Sequence, residues 1–171
     1  IANDAARVAQ LKAGQLDLIT RVPATDVAAL KTDSKLTVQT IDTVYVFNAE
    51  LDMREKALNT SAKDGSPLAK NPFLDLRVRQ AIDMAIDRKA LAEIAMEGLG
   101  VPVNQLVTPS IFGFNKALPP RTYDVAAARK LMAEAGYANG FRTQFSFTAD
   151  RLPADRQLAT RLAPMQAALR S

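Results

Sequence analysis

Apolar and polar positions follow two rhythms along this chain. Between Leu76 and Ile86 the apolar residues Leu76, Val78, Ala81, Ile82, Ala85 and Ile86 recur at helical spacing, while Arg77, Arg79, Gln80 and Asp83 face elsewhere. Asp75 stands where an N-cap belongs. The same logic predicts a helix from Asp4 to Ala13, capped by Asp4 and stopped by Gly14, and another over Ala24–Lys31 after the break at Pro23. It also predicts Arg88–Glu97, capped by Asp87 and closed by Gly98, and Val125–Ala135, capped by Asp124 and closed by Gly136. Asp155–Leu169 has a helical pattern with Pro164 as a kink.

The second rhythm belongs to strands. Leu16–Ile19 reads as a short buried strand, and Leu36–Ile41 alternates imperfectly. Thr43–Asn48 is an unbroken β-branched and aromatic run and carries the strongest strand signal. Phe141, Thr143, Phe145 and Phe147 share one parity, which predicts a half-buried strand. Residues 50–71 form a polar loop or small insertion, and Val101–Pro120 is irregular. The order α-β-α-β-β-loop-α-α-loop-α-β-α has no regular βαβ repeat. It predicts a mixed α/β (α+β) fold, a mixed sheet flanked by helices.

Composition narrows the chemistry. The 171 residues contain no Cys, His or Trp. Ser-His-Asp and Cys-His catalysis, zinc-thiolate sites and His-ligated metals therefore cannot be built from this chain alone. A 48% hydrophobic and 23% charged content is that of a folded globular domain. The net charge of +4 is spread without long basic runs, which argues against a nucleic-acid partner. No apolar stretch is long enough to span a membrane. Asp52, Glu55 and Asp64 are the carboxylates of a polar loop, more simply solvated than paired for acid/base work. Lys63 and Lys70 lie near Ser61 and Ser66 without S-x-x-K spacing.

The segment Asn71-Pro72-Phe73-Leu74-Asp75-Leu76-Arg77-Val78-Arg79-Gln80-Ala81-Ile82-Asp83-Met84-Ala85-Ile86-Asp87-Arg88 closely resembles the signature of the family 5 extracellular solute-binding proteins, the peptide, dipeptide and nickel-type receptors of bacterial ABC importers. Ala13-Gly14-Gln15-Leu16-Asp17-Leu18 and Val44-Tyr45-Val46-Phe47-Asn48 resemble further blocks of that family. So do Gly98-Leu99-Gly100-Val101-Pro102, Val107-Thr108-Pro109, Tyr123-Asp124 to Lys130-Leu131, Glu134-Ala135-Gly136-Tyr137 and Gly140-Phe141, all in order.

The resemblance implies a periplasmic binding protein type II-like fold. Residues 1–171 are then a single domain, most of lobe II of a two-lobed receptor, and both ends read as internal to a longer chain. It implies a periplasmic location, or an extracellular lipid-anchored one in a Gram-positive source. It implies no enzymatic activity, cofactor or metal site, and no membrane insertion. The partners implied are a peptide or other small solute, lobe I of the same protein and an ABC transporter permease. For ligand contact it points first to Arg151, in the loop after Phe141–Phe147, as a clamp for a peptide carboxylate. Asn48, Thr20, Arg21, Phe112 and Phe114 lie in segments the family uses around its cleft, although Asn48 serves a hinge equally well and at least one Phe suits the core. Arg77, Arg79 and Arg88 read as scaffold, paired with Asp83, Asp87 or carbonyls. A carboxylate-dependent hydrolase domain and a protein-interaction module using the basic surface are the competing functions.

Overall fold

A computed structural model describes residues 3–56 and 58–146. These fall into two compact units. One comprises residues 3–42 and 90–101, and the other 43–56, 58–89 and 102–146.

In the first unit α1 spans Asp4–Lys12. Its cap is Asn3, one residue before the predicted Asp4: the Asn3 side chain accepts from the Ala6 amide at 2.9 Å. Asp4 sits in the first turn, favourable to the helix dipole, and binds Arg7 at 2.6 Å. Gly14 ends the helix at φ 70°, and the Gln15 amide closes on the Gln10 carbonyl at 2.9 Å. α2 spans Ala24–Lys31 as predicted, with Val27 and Leu30 buried. Residues 90–101 of this unit open with Ala90, the last residue of α4 (Arg88–Ala90), and a π-helical turn over Leu91–Ala95 that buries Leu91 and Ala95. That turn stops earlier than the predicted Glu97. Glu97 and Gly98 both turn left-handed, at φ 49° and 73°.

The second unit is built on two helices. α3 spans Leu76–Met84, with Asp75 accepting from the Arg77 amide at 2.9 Å. α5 spans Val125–Glu134, with Asp124 accepting from the Ala127 amide at 2.9 Å. They run antiparallel, tied at both ends. The Asp124 amide donates to the Met84 carbonyl at 2.9 Å, and Arg77 Nη1 donates to the Glu134 carbonyl at 2.7 Å. Between them lies a core of Phe73, Val78, Ala81, Ala85, Ala128 and Met132. Phe141 extends it, meeting Phe73 and Tyr137 edge-on at 5.6 and 5.4 Å.

The strands differ most from expectation. Among the described residues one ladder forms, antiparallel, between β1 (Thr60–Ser61) and β2 (Arg142–Thr143), with Thr60 opposite Thr143. Leu16–Ile19, Leu36–Ile41 and Thr43–Asn48 form no ladder there. Leu18 is 81% exposed, not buried. Thr43–Phe47 carries apolar residues on both parities, as a strand covered on both faces does, yet Val44 and Tyr45 stand open. A strand needs a neighbour to accept its backbone bonds, and the described residues give this one none. β2 falls inside the predicted Phe141–Phe147 strand but spans only two residues. Phe147 and the predicted helix Asp155–Leu169 lie outside the described residues.

Candidate functional site

Thr20 and Arg21 lie in the first unit, on the turn that leads into α2. Both are exposed, and Arg21 is left-handed at φ 57°. Arg7, on α1, holds that turn: its Nη2 donates to the Arg21 carbonyl at 2.8 Å and to Asp4 at 2.6 Å. Arg7 was not legible as part of this turn, because its partner is fourteen residues away.

Asn48, Phe112 and Phe114 lie in the second unit. Asn48 is exposed, and its amide reaches Glu50 Oε1 at 3.4 Å. Phe112 is fully exposed at the tip of the 104–119 loop, so it is not the core residue of the pair. Phe114 is half-buried, and its amide donates to the Ile111 carbonyl at 3.2 Å. Asn104 and Gln105, which brace the limbs of this loop, gave no sequence signal beyond two adjacent carboxamides. Arg151 lies outside the described residues.

The signature arginines are spent on structure. Arg77 forks onto Asp75 at 2.6 and 3.0 Å, Arg79 donates to the Phe73 and Leu74 carbonyls, and Arg88 meets Asp83 at 2.5 Å. Asn71, buried, donates to the Asp52 and Arg54 carbonyls at 2.6 Å each and accepts from the Phe73 amide at 2.9 Å. It staples residues 52–54 to the turn before α3. Beside it lies a cleft of about 450 Å³ whose polar lining includes Glu55, Lys56, Thr60 and Lys70.

Acid/base chemistry finds little support in the polar loop. The Arg54 guanidinium, then the Leu58 amide, hold the Asp52 carboxyl far below the usual carboxylate range. Hydrogen bonds from the Ser66 hydroxyl and amide lower Asp64. A general acid needs the opposite shift. Among the described residues no cluster of three or more acidic groups could hold a metal ion, and no helix is long and apolar enough to cross a membrane.

The comparisons agree with this architecture. The chain is 37% identical over 139 residues to heme-binding protein A of Haemophilus influenzae, covering 81% of this chain and 23% of that protein. It is 29% identical over 143 residues to the glutathione-binding protein GsiB of Escherichia coli, covering 84% of this chain and 25% of that one. The chain thus spans about a quarter of the length of the curated relatives it matches. The periplasmic binding protein DppA of Helicobacter pylori, solved with the peptide STSA, superposes with a TM-score of 0.70 at 24% identity, over 99% of this chain and 30% of that one. That likeness establishes the fold, the α/β architecture of a periplasmic binding protein. The sequence description of the bacterial extracellular solute-binding proteins, family 5 Middle, matches residues 1–169, and the chain belongs to that family.

Proposed function

We infer that this chain is the middle portion of a receptor that captures a peptide or similar small solute by hinge closure and delivers it to an ABC transporter permease. The observation that carries this reading is the family match over residues 1–169, on a chain whose fold agrees with a peptide-bound binding protein. The relatives are binding proteins for heme, glutathione and peptide, which supports a receptor that performs no chemistry on its ligand. The absence of His and Cys fits that role. The family is extracellular by description, and the periplasm, or a lipid-anchored exterior position, is the compartment we assign.

In this reading residues 1–171 are most of lobe II, and lobe I lies in the remaining length of the receptor. That remainder also supplies the neighbour strands of Thr43–Phe47, whose two apolar faces require cover. Arg151 offers a planar fork to a peptide carboxylate, with Asn48, Thr20, Arg21, Phe112 and Phe114 as further contacts. Native mass spectrometry of the intact receptor, purified from its bacterial source, tests this. A co-purified peptide or small solute that is lost in Arg151→Ala is expected. An empty receptor that captures no peptide from a mixed library contradicts the reading.

A further inference from the structure

The loop from residue 104 to 119 is held by two neighbouring carboxamides on its outgoing limb that grip two points of the returning limb. Asn104 Nδ2 donates to the Leu118 and Pro119 carbonyls at 3.0 and 2.7 Å. Gln105 clasps the backbone of Asn115 reciprocally: its Nε2 donates to the Asn115 carbonyl at 2.9 Å, and its Oε1 accepts from the Asn115 amide at 3.0 Å. Gln105 Nε2 also lies 3.3 Å from Asn104 Oδ1, which aligns the two side chains.

The tip is braced as well. The Ile111 amide donates to Thr108 and the Phe114 amide to Ile111, at 3.0 and 3.2 Å. Gly113 takes φ 93°, which reverses the chain after Phe112 without strain. Thr108, buried, meets Ser110 hydroxyl to hydroxyl at 3.0 Å.

Phe112 is nevertheless fully exposed. A slack loop would lay this ring on nearby apolar surface, since burying a Phe is favourable by about 1.5–3 kcal/mol. Here the hydrogen bonds order the loop that carries the ring, and the ring stays exposed. Ordering a loop in advance lowers the entropic cost of binding, and a rigid aromatic is an efficient contact. We propose that Asn104 and Gln105 are positioning residues that present Phe112 as a preorganised contact for an apolar group of the captured solute. The proposal rests on the solute-receptor reading above.

Two measurements on the intact receptor separate the two ideas. Hydrogen exchange at the Asn115 amide reads the clamp alone. Gln105→Ala should speed it about tenfold, the effect of losing roughly 1.4 kcal/mol of hydrogen bonding. Gln105→Glu, which keeps an acceptor for that amide, should leave it protected. Equal exchange in Gln105→Ala and the unsubstituted receptor overturns the clamp, whatever the receptor binds.

Capture from a library of Ala-X-Ala tripeptides, with X each common residue, reads the function. Phe112→Ala and Gln105→Ala should each weaken capture of peptides with apolar X by about tenfold, and the double variant should lose little more than either alone. A loosened loop with unchanged capture overturns the role given to Phe112. An unsubstituted receptor that captures no peptide overturns the solute reading and with it that role, while the exchange result still decides the clamp.

Discussion

Single side chains in this fold act mostly by satisfying backbone groups that the sequence leaves open. Asn71 is the clearest case, because one buried carboxamide serves two carbonyls and an amide. Asn71→Ala leaves these groups without their partner and should lower stability by about 2–4 kcal/mol in denaturant titration, with the slope unchanged. Asp75 works at the surface. The Arg77 side chain, then the Arg77 amide, lower its carboxyl to about 2. That lies below the roughly 3.9 of an unfolded Asp, so its contribution is fully present above about pH 4 and lost as pH falls towards 2. Acid unfolding followed by circular dichroism should therefore lose some of its steepness in that window in Asp75→Asn. Asp75 was legible as a cap because its partner is two residues away. Asn3 was missed by one position, since two capping residues adjoin there and only geometry chooses between them.

At the scale of elements, helices were legible and strands were not, for a physical reason. α5 carries its cap at Asp124 and its stop at Gly136 next to its own periodic residues, α2 is marked off by Pro23 with no capping side chain, and the bounds of both match the expectation to within a residue. Thr43–Asn48 has every local mark of a strand, yet a strand is completed only by a neighbour. In the same way, nothing local to Thr60–Ser61 announces a ladder whose partner is Arg142–Thr143. The α3–α5 contact depends on small residues, with Ala81 and Ala128 both fully buried in one core. Ala128→Leu adds volume where none is free and should cost about 1–3 kcal/mol in thermal unfolding. Val78→Ala removes fully buried methyl groups and should also lower stability, whereas Phe112→Ala, in the open, should leave it nearly unchanged.

At the scale of the whole molecule, the chain spans about a quarter of the curated relatives it matches. Its six proposed contact residues are divided between the two described units and residue 151, which lies outside them. The family was legible because its blocks are local runs in fixed order, and the match over residues 1–169 agrees. The assembled site was not legible, because its residues come from separate segments and no spacing in the sequence fixes their distances. If the site closes only between two lobes, this chain by itself holds part of the contacts. The most direct test is isothermal titration calorimetry with one captured peptide, on the intact receptor and on residues 1–171 in parallel. The intact receptor should bind with a Kd of about micromolar or tighter, and the isolated chain at least about a hundredfold more weakly. Equal affinity of the two, or no binding by the intact receptor, would contradict the account.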